Sequence, residues 1–285
     1  PLETKKILQS WADNVWDTGI AFGTVAGKRG DTTVEVTTYR TENYDPDSRK
    51  PEVEYGDSIH GDLSRRDFTV NSMALELTGE EPEFIDPFNG LQDLAAKILR
   101  TPVRPGDSFN DDPLRMMRAA RFASQLDFEI APEVLSSMKD LAHRISIISA
   151  ERVRDEFTKI MMSSNPRVGI TLLVDTGIAD IVLPEIPKLR LEVDEHHHHK
   201  DVYEHSITVL EQAIELENRL DGPNLVIRLA ALLHDIGKPK TRAFIEGGGV
   251  SFHHHEVVGA RLAKKRLQAL RFDNDTIDAV ELLTM

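Results

Sequence analysis

With 285 residues, the chain is long enough for more than one core, and its 40% hydrophobic content fits a globular protein rather than a disordered one. It has no cysteine, which excludes disulfides and thiolate metal sites and fits a reducing cytoplasm. No apolar run approaches membrane-spanning length, and no signal segment is visible. The net charge of −14 argues against diffuse RNA coating, so an RNA partner would need a local basic surface. Candidate basic surfaces are Lys28 with Arg29, Arg65 with Arg66, Arg115 with Arg118 and Arg121, and residues 264–266. For each of them, the alternative is a solvated helix face or turn without an RNA partner.

Residues 1–85 have an α/β pattern. Residues 2–16 show helical spacing, and residues 21–25 and 34–40 predict two strands joined by a polar, glycine-containing turn at 26–31. On the second strand, Glu35 points away from the neighbouring valines. Its carboxylate therefore lies either on a face that lines a site or on a solvent face.

The remainder of the chain is predicted to be mostly helical. A polar loop is expected over residues 44–56, and helices dominate from Arg65 onward. Turn clusters at 86–90 and 102–106 and a break at 183–187 divide the helical part. Predicted helix starts are Ser149, which caps a helix to about Met162, Asn165 with Pro166, and a point near Asp201.

The sequence Asp-Asp-Pro-Leu-Arg at residues 111–115 opens a helix, with proline at the first helical position and Asp112 as the N-cap. Capping alone accounts for Asp112, and Arg115 can be a surface ion-pair partner. The same geometry also places an acceptor beside a forked donor, which can hydrogen-bond a base edge. Cytosine and adenine present an amino donor next to a ring-nitrogen acceptor, whereas uracil and guanine do not. The pair can thus select C and A. Arg118 lies on the same helical face.

The sequence Arg-Arg-Asp-Phe-Thr-Val-Asn at residues 65–71 also suits a nucleotide. Arg65 and Arg66 can bind phosphate, and Asp67 or Asn71 can hold ribose hydroxyls. In the alternative interpretation Asp67 caps a helix and the arginines are solvated.

In this order, the two stretches resemble the nucleotide-selecting segments of the bacterial CCA-adding enzymes and poly(A) polymerases. The resemblance implies that residues 65–71 bind ribose and triphosphate, and that Asp112 and Arg115 recognise the base while Arg118 reaches phosphates. Asp111 replaces the glutamate that is usual in the family. Glu35 resembles the third catalytic carboxylate, which implies a role in catalysis and in Mg²⁺ binding.

The family's other two catalytic carboxylates, an Asp-x-Asp pair after a glycine-rich loop, are expected before residue 1. Asp45 with Asp47 and Asp273 with Asp275 stand at the wrong places for them. The chain also stops at Met285, inside an apparent helix. We therefore expect a fragment, which by itself lacks groups needed for nucleotide transfer.

The apolar helix predicted at residues 225–233 ends in His234-Asp235-Ile236-Gly237-Lys238, where Gly237 suits the helix C-terminus and Lys238 its negative end. His234 and Asp235 can turn toward one metal, with His205 and with His253 or His255 completing the set. This arrangement resembles the HD phosphohydrolase superfamily. Mixed imidazole and carboxylate ligands suit Mn²⁺, Ni²⁺ or Co²⁺. A structural or vestigial helix bundle is the alternative.

The resemblance implies an α+β fold class with a partial nucleotidyltransferase palm (1–85), a helical nucleotide-selecting neck and body (86–187) and an HD-type helical domain (188–285). The implied function is template-independent CCA addition to tRNA 3′ ends in the cytoplasm, with CTP, ATP and Mg²⁺ and without a membrane partner. The alternatives are a poly(A) polymerase, an HD phosphohydrolase with an RNA-binding N-terminal half, and a non-catalytic RNA-end-binding module.

Overall fold

The computed structural model of the chain describes residues 1–20, 23–43, 52–56, 58–190, 202–245 and 250–285. Helix makes up 59% of the structure and strand 12%, which confirms the predicted helix-rich α+β class. The chain divides into two compact units: the first unit comprises residues 1–96 and 100–111, and the second unit comprises residues 97–99 and 112–285. The domain boundaries at residues 85 and 187 stay predictions.

The first unit begins with helix α1 (Leu2–Trp11), which packs on a three-stranded antiparallel sheet. The strands follow in the order β1 (Asn14–Trp16), β2 (Thr24–Arg29) and β3 (Thr32–Thr37). The predicted helix over residues 2–16 is therefore wrong beyond Trp11, because Ala12 is extended and Val15 pairs with Gly27. Pairing with a distant strand overrides the local helical spacing there.

The hairpin between β2 and β3 is tighter than predicted. Residues 26–29 continue β2 instead of forming the turn, and the connection is made by Gly30 and Asp31. Gly30 takes a φ of 56°, which glycine adopts without steric cost. Gly27 faces α1, where a Cβ would lie 3.1 Å from the Ala12 Cβ, which explains why a glycine that looks like part of a turn stays in the strand.

A second antiparallel pair follows, formed by β4 (Arg40–Asn43) and β5 (Glu52–Tyr55). The predicted loop over residues 44–56 is therefore wrong at 52–55. The alternating sequence Glu-Val-Glu-Tyr fits a strand. The pair Asp45 and Asp47 lies outside the described residues.

The rest of the first unit surrounds residues 65–71. Leu63, Phe68 and Phe109 are buried and anchor this part of the chain. A 3-10 turn covers Thr69–Asn71. Pro105 begins a helix, so the turn predicted over residues 102–106 ends earlier than expected. The elements are α2 (Ile59–Ser64), β6 (Ala74–Glu76), β7 (Glu83–Ile85), α3 (Gly90–Ala96) and α4 (Pro105–Asp111).

The second unit opens with a short parallel pair, β8 (Ile98–Leu99) with β9 (Glu129–Ile130), followed by packed helices. The predicted starts at Ser149 and at Pro166 are confirmed, although the Ser149 side chain makes no capping hydrogen bond. Helices α7 and α8 pack against α5 around Met116, Phe157 and Ile170. These helices are α5 (Leu114–Leu126), α6 (Pro132–Leu141), α7 (Ala150–Met161), α8 (Pro166–Asp175) and α9 (Ala179–Val182).

The C-terminal part of the second unit carries the histidines. The predicted helix over residues 225–233 is confirmed. Asp273 caps the last helix by accepting hydrogen bonds from the Thr276 backbone and hydroxyl at 2.8 Å each, so this aspartate has a structural role. None of the described helices is long and apolar enough to cross a membrane. The elements are α10 (Val202–Glu215), α11 (Leu225–Leu233), α12 (Lys238–Thr241), β10 (Ala243–Phe244), β11 (Val250–Ser251), α13 (His255–Ala269) and α14 (Asn274–Thr284).

A buried ion pair ties α11 to the end of α7. Arg228 donates to both carboxylate oxygens of Glu217 at 2.7 and 2.6 Å. Its remaining Nη1 donates to the carbonyls of Met161 and Ser163 at 2.6 and 2.8 Å. The Arg228 and Glu217 side chains are only 4% and 8% exposed. The histidine-bearing helices are thereby fixed to the helical body within the second unit.

Candidate nucleotide and metal sites

The predicted phosphate-binding arginines lie in a turn that follows α2. Both are held by Asp62, a buried carboxylate on that helix. Arg65 Nη2 and Nε lie 2.6 and 3.2 Å from Asp62 Oδ1, and Arg66 Nη2 lies 3.3 Å from Oδ2. Asp62 was not among the residues predicted from the sequence. The signal was available, because an aspartate three and four residues before two arginines favours ion pairs on a helical turn.

Asp67 and Asn71 join the same turn. Asp67 Oδ1 accepts from the Phe68 backbone N–H at 2.9 Å and from Asn71 Nδ2 at 3.0 Å. Arg66 Nη1 lies 3.3 Å from the Asn71 carbonyl oxygen. The structure therefore gathers the four predicted nucleotide-binding residues of this stretch into one local cluster. The capping interpretation of Asp67 is also supported in part, since its carboxylate holds the backbone just before the 3-10 turn.

Glu35 lies on β3 opposite Ala26, and its side chain is exposed. Among the described residues, the ligand atoms of three His, Asp or Glu side chains gather only at His205, His234 and Asp235. Glu35 thus stands apart from any such group in the described part of the chain. The described residues alone do not fit a Mg²⁺ site at Glu35.

The predicted base-selecting residues lie at the start of α5, in the second unit. The helix begins at Leu114, one residue later than predicted, yet Asp112 Oδ1 still accepts from the Leu114 N–H at 3.1 Å. Asp112 Oδ2 accepts from Arg152 Nη2 on α7 at 2.9 Å. Arg115 is 7% exposed, so its guanidinium is held in the protein rather than extended into solvent. The Asp112 carboxylate therefore binds the first backbone N–H of α5 with one oxygen and Arg152 with the other.

Helix α7 supports α5 at a second point. Arg121 of α5 lies 3.2 Å from Glu156, which also binds Lys159 at 2.9 Å. Arg118, predicted to reach phosphate, stands with its guanidinium 5.5 Å from the centre of the Phe122 ring. Arg152 and Glu156 were not predicted from the sequence, because no local pattern connects α7 with a helix start about forty residues earlier.

Three predicted metal ligands, His205, His234 and Asp235, converge in the second unit. His205 Nε2 and His234 Nε2 lie 3.6 and 3.2 Å from Asp235 Oδ2, and His255 Nε2 lies 3.5 Å from the other oxygen, Oδ1. His205 Nε2 and His234 Nε2 are 3.4 Å apart. Of the two alternatives given by the sequence, His255 enters the cluster, whereas His253 is exposed on the preceding turn. The reason is that α13 begins at His255, which directs this side chain toward α11.

Hydrogen bonds at Nδ1 of His234 and His255 leave the Nε2 atoms of both rings available to bind a metal. His234 Nδ1 lies 2.8 Å from the Ala231 carbonyl, and His255 Nδ1 lies 2.9 Å from the Phe252 carbonyl. A carbonyl only accepts, so each Nδ1 carries the proton and each neutral ring keeps a lone pair on Nε2. Metal-binding histidines are usually oriented by such second contacts. The donor set of imidazoles and one carboxylate therefore fits Mn²⁺, Ni²⁺ or Co²⁺.

The negative charge of the Asp235 carboxylate is balanced by hydrogen-bonding partners that carry positive charge. Burial opposes its ionisation, yet hydrogen bonds from the protonated form of His234 and from Lys238 outweigh burial and lower its pKa to about 2. Burial also disfavours the charged form of His234, but its hydrogen bonds to Asp235 and to the Ala231 carbonyl raise its pKa above the usual value. Lys238 Nζ lies 2.6 Å from Asp235 Oδ2. Lys238 therefore neutralises the Asp235 carboxylate. The sequence had predicted instead that Lys238 would neutralise the negative end of α11.

Gly237 has a different role from the predicted helix cap. Its φ of −77° needs no glycine. A Cβ at this position would lie 2.0 Å from the His255 carbonyl oxygen, so only glycine lets the turn after α11 meet the start of α13. This close approach brings His255 to Asp235.

Comparison with known families accounts for most of the chain. Residues 1–100 match the poly A polymerase head domain, residues 127–189 match a probable RNA and SrmB-binding site of polymerase A, and residues 202–284 match the HD domain. The three matches follow the order of the palm, helical body and HD region predicted above.

Individual relatives of this chain point to the same family as the three domain matches. An A-adding tRNA nucleotidyltransferase of Deinococcus radiodurans is 37% identical over 220 residues, which is 75% of this chain and 49% of that protein. A CCA-adding enzyme of Streptococcus gordonii is 39% identical over 196 residues, which is 68% of this chain and 47% of that enzyme. The crystal structure of the Bacillus stearothermophilus CCA-adding enzyme in complex with CTP matches at 25% identity with a TM-score of 0.59, covering 94% of this chain and 55% of that one.

The chain spans about half the length of the curated relatives that it matches. The order of the matched families, the relatives and the solved structure all agree. The chain therefore belongs to the nucleotidyltransferase family that comprises the bacterial CCA-adding enzymes and the poly(A) polymerases, and its C-terminal part is an HD domain.

Proposed function

We propose that this chain works in the template-independent addition of CCA to tRNA 3′ ends, with CTP and ATP as donors. The observation that carries the proposal is that the Asp112 carboxylate is held at both oxygens, by the Leu114 N–H at the start of α5 and by Arg152. A rigid carboxylate beside an arginine can act in place of a template, because its hydrogen-bonding pattern does not change between substrates.

Base selection follows from the remaining hydrogen-bonding capacity of the pair. Each carboxylate oxygen of Asp112 has two lone pairs, so one contact with Leu114 or Arg152 leaves capacity for the amino group of a base. Arg115 supplies a donor for the adjacent ring nitrogen of cytosine or adenine. Uracil and guanine would set a carbonyl against the carboxylate and an N–H against the guanidinium. Both contacts are then unfavourable, and these bases are rejected.

The cluster at residues 65–71 of the first unit suits, by itself, the phosphates and ribose of a nucleotide. The Arg66 side chain is 46% exposed, so it can donate to a triphosphate while it keeps its contact with Asp62. Asn71 and Asp67 stand next to it and suit ribose hydroxyls. Binding of Mg²⁺ by Glu35 stays a prediction.

A second function is favoured by the histidine cluster. We infer that the HD region is a metal-dependent phosphohydrolase whose substrate is a phosphoester such as a 2′,3′-cyclic phosphate. A bound Mn²⁺, Ni²⁺ or Co²⁺ ion would activate a water molecule for attack on the ester. His205, His234, His255 and Asp235 would hold the ion, and the hydrogen bonds at Nδ1 keep two of the imidazoles in the tautomer that binds it.

Nucleotide incorporation, measured with the family's Asp-x-Asp pair present, separates the candidate transferases. Incorporation of both CTP and ATP on tRNA that lacks CCA supports CCA addition. Incorporation of ATP alone on tRNA ending in CC supports A-only addition, as in the name of the Deinococcus relative, and long A tails indicate a poly(A) polymerase. RNA binding without any transfer or hydrolysis leaves an RNA-end-binding module. A cytoplasmic location and a tRNA partner stay part of the proposal.

The hydrolase is tested with a cyclic phosphate substrate and each metal. His234→Ala and Asp235→Ala should abolish metal-dependent hydrolysis, whereas His143→Ala, an exposed histidine outside the cluster, should leave it intact. Hydrolysis that persists in the first two variants would rule out this site.

A further inference from the structure

We propose that Asp62 is a positioning residue for triphosphate recognition, a role that rests on the proposed nucleotide site at residues 65–71. Asp62 is the one carboxylate contacted by both Arg65 and Arg66 in the described hydrogen bonds. Its own side chain is 6% exposed, while those of Arg65 and Arg66 are 20% and 46% exposed. A buried anion thus holds two partly exposed cations.

The geometry fixes both guanidinium groups. Arg65 uses Nε and Nη2 on one oxygen of Asp62, and Arg66 uses Nη2 on the other. Arg66 is also tied at Nη1 to the Asn71 carbonyl. A guanidinium has five N–H donors, so the contacts of Arg66 with Asp62 and Asn71 leave donors for a ligand. Without Asp62, two like charges side by side would repel each other and turn apart.

Two opposite effects on triphosphate binding can be separated by their sign. If Asp62 positions the arginines, its loss weakens binding, because two long side chains must then be immobilised by the ligand itself. If Asp62 merely shields them, its loss removes a negative charge and strengthens the attraction for phosphate. Burial favours the first effect, since the carboxylate lies on the protein side of the arginines and not on their exposed side.

The test compares CTP with CMP, so that the β- and γ-phosphates are the sole difference. We would measure both dissociation constants by calorimetry for the wild type and for Asp62→Asn. Asparagine keeps one acceptor oxygen but turns a donor amide toward Arg66. The ratio of the CMP and CTP dissociation constants should fall about tenfold, as expected when two side chains lose their restraint.

Asp93→Asn is the matched control. Asp93 is a buried aspartate of the same unit, accepts from Thr69 at 2.7 Å and pairs with Arg100, yet it contacts neither Arg65 nor Arg66 in the described hydrogen bonds. Its variant should keep the wild-type ratio. A general loss of packing would lower both variants alike, so equal losses would overturn the proposal.

A cycle with the arginines keeps the test valid if Asp62→Asn folds poorly. In the Arg65→Gln, Arg66→Gln background, adding Asp62→Glu should not change the ratio, whereas Asp62→Glu alone should lower it. A ratio that is unchanged or raised in the Asp62 variants overturns the role of Asp62 alone. A wild-type chain that binds CTP no better than CMP overturns the nucleotide site together with it.

Discussion

The buried pair of Arg228 and Glu217 gives the sharpest prediction on stability. Arg228→Met keeps the length of the side chain but removes four hydrogen bonds, two to Glu217 and two to the carbonyls of Met161 and Ser163. The Glu217 carboxylate then stays buried with the Asn224 N–H as its remaining described partner. Breaking a buried pair in this way costs about 3–5 kcal/mol. Against a typical unfolding free energy of about 5–15 kcal/mol, this is a large loss.

The control is Arg167→Met. Arg167 also forms a two-pronged pair, with Glu211 at 2.6 and 2.7 Å, but the two side chains are 33% and 41% exposed. An exposed pair contributes at most about 1 kcal/mol. The double variant Arg228→Met, Glu217→Leu should recover part of the loss, because no charge is left buried, and about 2 kcal/mol should remain from the two unpaired carbonyls.

Urea unfolding measures these differences. Trp11 and Trp16, the two tryptophans of the chain, both lie in the first unit. Tryptophan fluorescence therefore follows the first unit, and circular dichroism at the helix band follows mainly the second unit, which holds most of the helices. The dichroism transition of Arg228→Met should move to lower urea concentration. If Arg228→Met costs no more than Arg167→Met, the buried network does not hold the HD region to the helical body.

Three further predictions follow from named contacts. Arg228 lowers the pKa of Glu217, so the folded chain binds fewer protons than the unfolded chain; the stability from this group is complete above the unfolded pKa of about 4.3 and is lost as pH falls through the folded pKa. Urea midpoints below pH 5 should fall less steeply in Glu217→Gln, and equal slopes would refute this. Arg152→Ala should reduce the preference of the chain for CTP and ATP over UTP and GTP roughly tenfold in binding assays, because Asp112 loses a charge-assisted partner, whereas an unchanged preference would show that the contact with Arg152 is dispensable. Gly237→Ala should weaken Co²⁺ binding by roughly tenfold or more, since its Cβ would displace His255; full affinity with an intact fold would contradict that positioning role.

Local patterns predicted the elements that need no distant partner. Helix α11 has the predicted bounds because a continuous apolar run between Asn224 and His234 leaves little alternative. The start of α8 follows from proline at the first helical position. In contrast, residues 14–16 and 52–55 become strands by pairing with residues elsewhere in the chain. Their local patterns fit more than one structure.

The candidate sites show the same division. The histidine cluster was predictable because ligand types are few and their order along the chain is informative. The choice of His255 over His253 depends on where α13 begins, and the need for Gly237 depends on a backbone approach. Arg152 reaches Asp112 across the helix packing of the second unit, and no spacing rule contains that contact.

The most direct test of base selection by Asp112 and Arg115 is the affinity of the chain for CTP, ATP, UTP and GTP, compared with that of Arg115→Ala. The wild type should prefer CTP and ATP by about 1–3 kcal/mol, the discrimination of one two-pronged base contact. Arg115→Ala should bind all four nucleotides alike, with its dichroism spectrum unchanged, while Arg104→Ala, an exposed arginine paired with Asp107, keeps the preference. Equal affinity of the wild type for all four nucleotides, or full preference in Arg115→Ala, would contradict the account.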